Sequence, residues 1–457
     1  MKSGQILLTE KSKEELIEEI LRLREENENL RKKLESKEKV EARKKELKFA
    51  REAQRALNPK TSGRKKGHKG STRTKPDQID RTVEQTIAHC PDCHHALGKS
   101  IGSFDHIQED LVPARVEVTC FKKYRYYCLD CEKIVTSAYA PEEVPHSYLG
   151  PNILVQTVIL KYHHGLPYNK IRELFETLCQ FTVSEGSLAQ ALQRMSEWLK
   201  VEVDEILKAI QSSSHIHMDE TGWKISGTNH WLWAAVNSRL AYYKIDRSRG
   251  SKVAKLIIPE NYKGVVVSDF YSAYNKLTTR KQKCLVHLLR EMKRCLETDD
   301  SEEYARNYEI LKRIIRDAVS LRDKYPALKF KIYLKQVGFI RKRLLKWACS
   351  DYENKHLRRI SDRLIKHGLE LLTFLEFPDV PADNNLAERM IRHHVILRNR
   401  SFQNRSEKGA RAHEILMSLL HTTKLQKLNP LTILKEAFLK HRQGTAHPIL
   451  SLQRDHA

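Results

Sequence analysis

Cutting and rejoining a phosphodiester with divalent metal ions requires several acidic groups that converge from different elements. Hard Mg²⁺ prefers carboxylate oxygens and water, and two ions about 3.5–4 Å apart can activate an attacking oxygen and stabilise a leaving one. The chain carries 58 Asp and Glu, so local context has to select among them. Asp219 lies in His217-Met218-Asp219-Glu220-Thr221, on a run that reads as a strand. Strand alternation sends Asp219 and Glu220 to opposite faces, so one at most points into a given site. Asp269 follows the apolar run Val265-Val266-Val267-Ser268, which places it at the open end of a buried strand. Glu388 lies in Asp383-Asn384-Asn385-Leu386-Ala387-Glu388-Arg389. There Asp383 is placed to cap a helix, with Asn384 and Asn385 on the face of Glu388. Glu376, Asp379 and Asp383 compete for the third place. Taken singly, each acid also reads as an exposed cap or ion pair. Arg389, Arg392, Arg398 and Arg400, then Arg405, Lys408 and Arg411, follow with Glu407 as the only acid among them. Such a cationic segment suits substrate phosphates, and the first four are the candidate DNA contacts.

A second chemistry belongs to the cysteines. Cys90-Pro91-Asp92-Cys93 and Cys128-Leu129-Asp130-Cys131 are two C-x-x-C knuckles. The β-branched and aromatic run Arg115 to Tyr127 between them reads as strand. The doubled motif predicts a Cys₄ zinc ribbon on Cys90, Cys93, Cys128 and Cys131, with His89, His94 and His95 as spare ligands. Cys120 falls mid-strand and is expected in a core.

The elements that must position these groups follow from pattern. Leu16, Ile20, Leu23, Asn27, Leu30 and Leu34 alternate steps of four and three, a short heptad seam with Asn27 at an a position. That predicts a dimerising coiled coil needing further support. The basic helix continues to about residue 57. A linker over 58–84 holds Lys65, Lys66, His68 and Lys69, suited to phosphates without sequence reading. Residues 85–145 form the ribbon. Over 146–212, helices at Tyr168 to Leu178 and Ser184 to Leu199 suit a helix-turn-helix or a plain helical hairpin, with Ser184 as cap. From 213, strands are predicted at His215–Ile225, Asn229–Asn237 and Arg239–Asp246. A helix at Ser251–Pro259 and strands at Gly264–Ser268 and Lys283–Leu289 follow. That is the order of an RNase H-like fold. A charged helical insertion over 299–380 interrupts it, and a helical block over 381–445 completes the core. The fold class is thus multidomain α/β: coiled coil, zinc ribbon, helix-turn-helix-like segment, and RNase H-like core with an α-helical insertion.

Composition agrees. The 457 residues carry 82 Lys and Arg, a formal charge of +24, and 40% hydrophobic residues. This points to real cores and a polyanionic partner, most plausibly nucleic acid. The absence of a long apolar run or signal-peptide pattern argues against membrane and secreted classes. It favours a cytoplasmic protein, with thiols or metal ligands rather than disulfides.

Together these blocks resemble the transposases of the insertion-sequence-66 family. The resemblance rests on His217-Met218-Asp219-Glu220-Thr221 with Trp231 and Trp233, and on Asp269 with Tyr271, Ala273 and Tyr274. It continues through Cys284, His287, Arg290 and the segment from Asp383 to Arg389. Gly67-His68-Lys69-Gly70, the doubled C-x-x-C and the helices from Leu166 agree, so it covers nearly the whole chain. It implies a DDE triad at Asp219, Asp269 and Glu388 using Mg²⁺ (or Mn²⁺). It also implies zinc on the four cysteines, an RNase H-like core, and small accessory proteins of the same element. One departure is Phe270, where many members carry Gly. Cys284 and His287 resemble a C-x-x-H element that is either structural or helps place substrate.

The expected activity is cleavage at the element's terminal inverted repeats and strand transfer into target DNA, by a homodimer or higher oligomer. The rival expectations are a non-catalytic, dimeric, zinc-containing DNA-binding regulator derived from a transposase, and a plain RNase H-like nuclease.

Overall fold

The structure, a computed structural model, describes residues 78–112, 114–401 and 403–442. The heptad segment, the basic helix, and Lys65, Lys66, His68 and Lys69 lie outside the described residues. Within residues 78–140, β1 (Arg125–Cys128) and β2 (Lys133–Thr136) pair as an antiparallel hairpin around the second knuckle, and His89 bridges Ala96 around the first. The strand expected from Arg115 is therefore reduced to its last residues. β propensity gives a ladder only where a partner strand lies alongside, and none does before Arg125. Cys120 is exposed, not core. Phe104 and Val118 are also exposed, as in a small unit with too little chain to build a core of its own.

The next elements are α1 (Pro151–Val158), which runs on as a π-helical turn over Ile159–His163, α2 (Tyr168–Cys179) and α3 (Glu185–Gln211). Gln180 closes α2 in the left-handed conformation, and Ser184 caps α3 by accepting from the Ser187 N–H at 3.1 Å. α3 extends well past the expected end at Leu199. Its buried residues recur every three or four positions from Leu188 to Ile210, so one apolar stripe carries it onward.

A five-stranded sheet follows, from β3 (His215–Ile225), β4 (Thr228–Val236), β5 (Ala241–Asp246), β6 (Val265–Ser268) and β7 (Arg280–Lys283). Its order is β5-β4-β3-β6-β7, with β3, β6 and β7 parallel and β4 and β5 antiparallel. The hairpin from β3 to β4 turns on Ser226 and Gly227, both at positive φ, the geometry of a two-residue primed turn. α4 (Ser251–Ile257) and α5 (Ser272–Asn275) flank β6. The strand expected over Lys283–Leu289 is corrected: β7 ends at Lys283 and α6 (Leu285–Leu296) begins. Leu285, Leu288, Leu289 and Met292 lie on one buried helical face, and six apolar or neutral residues read alike in either period.

The insertion is helical, with α7 (Glu302–Asp323), α8 (Phe330–Ala348), α9 (Lys355–Leu371) and α10 (Thr373–Glu376). It has its own core, from Leu288 and Met292 of α6 through Tyr304, Leu311, Ile340, Trp347 and Ile360. α11 (Asn385–Ser401), α12 (Glu407–Leu425) and α13 (Pro430–Arg442) then return to the main core, formed with α1, α3 and the sheet. Among the described residues no helix is long and apolar enough to cross a membrane.

Candidate active site

Asp219 and Asp269 come together through strand register. His217 on β3 lies opposite Val267 on the parallel strand β6. Asp219 is two residues further along β3 and Asp269 is the residue just past the end of β6, two after Val267, which brings both to a similar level of the sheet. On β6, Val266 joins the main core while Val265 and Val267 face the insertion's Phe377 and Val380. Asp269 continues the second set. Its Oδ1 accepts from the Tyr271 N–H at 2.8 Å, and its carbonyl accepts from Lys283 Nζ at 3.0 Å. Lys283 is wholly buried, and burial lowers its pKa to about 8.

Glu220 takes the other face, as alternation requires. Its carboxylate accepts from Arg249 Nη2 at 2.8 Å and from the Tyr274 hydroxyl. The Arg249 guanidinium lies between the rings of Trp231 and Tyr271, 4.2 and 4.1 Å from their centroids.

Glu388 arrives on α11, and Asn384 fastens that helix to β3. Asn384 is fully buried. Its Nδ2 donates to the Met218 carbonyl at 2.8 Å and its Oδ1 meets His217 Nδ1 at 3.1 Å. Its backbone N–H points at Cys284 Sγ, 3.2 Å away. Asp383 supplies the helix-start bond, accepting from the Asn385 N–H at 2.9 Å, so the cap and the fastener are adjacent residues. On the other side, α6 presents His287 and Arg290, three residues apart on one helical face. His287 Nδ1 is 3.6 Å from Glu388 Oε1, and Arg290 Nη2 is 3.5 Å from Oε2. Cys284, His287 and Glu388 bring three potential ligand atoms within 4.8 Å of one another. Burial pushes the Cys284 thiol up to about 12, so it is a protonated thiol; burial also lowers His287, leaving a neutral ring.

The carboxylates feel one another. Burial, then Glu220, Asp269 and Glu388, push the Asp219 carboxyl well above the usual range. Neighbouring carboxylates disfavour one another's ionised form, and a cation would relieve this; the three acids do not form a cluster with ligand atoms within 4.8 Å among the described residues. Glu388 Oε1 is buried without a hydrogen-bond partner. Hard oxygen donors, crowded charge and an orphaned carboxylate oxygen fit a divalent cation of the Mg²⁺ or Mn²⁺ type. Of the competing acids, Asp383 is occupied as a cap and Glu376 pairs with Arg341.

The cationic segment divides. Arg389 and Arg392 are exposed on α11. Arg398 turns inward, donating to the Thr221 hydroxyl at 3.2 Å and to the Gly222 carbonyl. Arg400 is exposed but donates to the His164 carbonyl at 3.1 Å. The cysteine knuckles are each folded: Cys90 bonds with Cys93 and Cys128 with Cys131, which lowers the Cys90 and Cys128 thiols. The two knuckles do not converge. Among the described residues, the four sulfurs do not form a cluster within 4.8 Å.

Asn384 and Arg290 are supports whose roles sequence reasoning missed. The spacing Cys284, His287, Arg290, in steps of three, was the available sign for the second. Asn384 carries no comparable mark, because either neighbour reads equally well as a helix-start residue.

Residues 146–412, more than half of the chain, match the model of the Transposase IS66 family. The chain is 25% identical to uncharacterized protein y4jD of Sinorhizobium fredii over 77% of its own length and 74% of that protein. It is 24% identical to uncharacterized protein y4qI of the same organism, covering 80% and 73%.

Proposed function

Because the chain belongs to the IS66 family of transposases, we propose that it is a metal-dependent DNA transposase. It cuts at the terminal inverted repeats of its mobile element and transfers the freed strand ends into target DNA. The observation that carries this reading is that Asp219 and Asp269 stand at the ends of paired parallel runs of β3 and β6, while Asn384 ties the helix of Glu388 to the strand of Asp219. The sheet order, three antiparallel strands followed by two parallel ones, supports an RNase H-like core.

Asp219, Asp269 and Glu388 would hold Mg²⁺ or Mn²⁺, which supplies Lewis acidity toward the phosphodiester oxygens. The chain's own residues do the positioning. Lys283 and the Tyr271 N–H fix Asp269. Asn384 fixes the start of α11 against β3. His287 and Arg290 flank Glu388. Arg389 and Arg392, exposed on α11, would take phosphates of the bound DNA. A dimer or higher oligomer, formed with the N-terminal heptads, would handle two DNA ends together. Zinc at Cys90, Cys93, Cys128 and Cys131 would require the two knuckles, each folded by itself here, to come together on the ion.

The test is an end-cleavage assay on labelled duplex carrying the element's inverted repeats, with and without Mg²⁺ or Mn²⁺. Asp269→Asn should bind the duplex and leave it uncut, while the wild type cuts at the repeat boundary only with metal. Equal cutting by both would overturn the triad. Binding without cutting by the wild type would favour the regulator reading.

A further inference from the structure

An open groove of about 430 Å³ begins at Asp269. Asp269 and Phe270 line it just past β6, Arg290, Glu291 and Arg294 line it from α6, and Arg359 lines it from α9. On α6 these three positions fall on one face, because residues three and four apart are neighbours on a helix. Glu291 is already neutralised: it accepts from Arg359 Nη2 at 3.0 Å and from Arg363 Nη2 at 3.2 Å. Three arginines, Arg290, Arg294 and Arg359, thus line the groove against two carboxylates, Asp269 and Glu291, with Arg290 also facing Glu388. Arg290 Nε is buried there without a hydrogen-bond partner. Phe270 is half-buried, with Arg363 5.0 Å from its ring centroid and His367 edge-on at 6.3 Å.

The volume is that of a small-molecule pocket, with room for roughly one or two nucleotides and none for a duplex. An aromatic ring beside a row of arginines is how proteins hold single strands: bases stack and guanidinium groups track the phosphates. We propose that this groove holds, in an unpaired DNA strand, the nucleotide adjoining the scissile phosphate. Its base lies against Phe270 and its phosphate against Arg294 and Arg359. This rests on the reading of Asp219, Asp269 and Glu388 as the cleavage site, since the groove opens on Asp269. The helical insertion is then part of the DNA site, because α9 supplies one wall.

The experiment uses the full chain and an end duplex with 5-iodouracil at the first nucleotide beyond the cut. Irradiation of the complex should attach the strand to the peptide holding Phe270. Arg359→Ala should lower the affinity for a short oligothymidylate in metal-free buffer by about tenfold. It should also flatten the slope of log affinity against log salt by about 0.7. Arg359 is exposed, so the variant should fold, and a melting curve checks this; Arg359→Glu should weaken binding further. If the wild type cuts ends but the strand attaches elsewhere and both Arg359 variants bind as wild type, the groove assignment is wrong while the transposase reading stands. If the wild type neither binds nor cuts ends, the transposase reading fails and the groove assignment falls with it.

Discussion

Replacing Asn384 with Ala should damage both the fold and the chemistry, by amounts the structure sets. The side chain is fully buried and bridges the Met218 carbonyl and His217 Nδ1, at 2.8 and 3.1 Å. Ala leaves both partners buried and unsatisfied. Each orphan costs roughly 1–3 kcal/mol, so roughly 2–6 kcal/mol in all, and the melting temperature should fall by at least about 3 °C. Asn384 also stands four residues before Glu388 and ties that helix to the strand of Asp219. Losing the tie frees Glu388 to shift against Asp219, and a displacement of about 1 Å at a reacting site costs on the order of 100-fold in rate. Cleavage should be measured well below both melting transitions, so that the rate loss is not a loss of folded protein. Asn384→Asp sharpens the test. It keeps the size and can still accept from His217, but it sets a carboxylate against the Met218 carbonyl, so it should be no better than Ala. An Asn384→Ala protein that melts within about 1 °C of wild type and cuts at the wild-type rate would refute the argument.

Arg398→Ala should lower stability by roughly 1.5–3 kcal/mol, the value of charged hydrogen bonds to Thr221 and Gly222, and should change DNA affinity little. Arg392→Ala should instead leave the melt unchanged and flatten the salt dependence of DNA binding by about 0.9; melts and salt titrations that reverse this assignment would show it to be wrong. Stability should also fall with acid through the buried histidines behind α11. Burial lowers His413 to about 3 and holds His394 and His421 well below the ordinary value. These rings are neutral in the fold and charge near pH 6.5 when unfolded. The unfolded state therefore takes up protons first, and the stability present above about pH 6.5 is lost as the pH falls toward the folded values. His413 alone should cost roughly 1.4 kcal/mol per pH unit across that window. Denaturant melts between pH 7.5 and 5 check this, and unchanged midpoints would count against it.

The central strands were legible because each carries its signal locally. β3 to β5 alternate or run apolar between turn residues, and β6 is an apolar run closed by a polar residue. β7 was not legible. Its four residues Arg280-Lys281-Gln282-Lys283 look like surface, yet Gln282 and Lys283 are buried. Gln282 donates to the Leu371 carbonyl and accepts from the Phe374 N–H, and Thr373 caps the Lys281 carbonyl. All three partners come from the insertion, about ninety residues away, where no local window reaches. The run before Arg125 failed in the opposite sense: strand-forming composition was present, but no neighbouring strand was there to pair with it.

The same distinction divides the site. The placement of Asp219 on β3 and of Asp269 just past β6 could be read from sequence because alternation and strand ends are properties of short windows. Their supports depend on contacts between distant residues: Asn384 lies 167 positions from His217 and 100 from Cys284. Yet the supports separate a working site from an ordinary buried ion pair. A structural Glu388 would settle into close hydrogen bonds, as Glu220 does with Arg249 and Tyr274. Instead His287 and Arg290 stand at 3.6 and 3.5 Å, and one carboxylate oxygen has no hydrogen bond. Glu220 on β3 and Glu388 on α11 thus have opposite environments: Glu220 is satisfied from within the fold, and Glu388 is held in place with one oxygen left without a hydrogen bond. Leaving a buried carboxylate in that condition costs free energy. The chain bears that cost beside His287 and Arg290, and under the proposed function a cation and a phosphodiester would offset it.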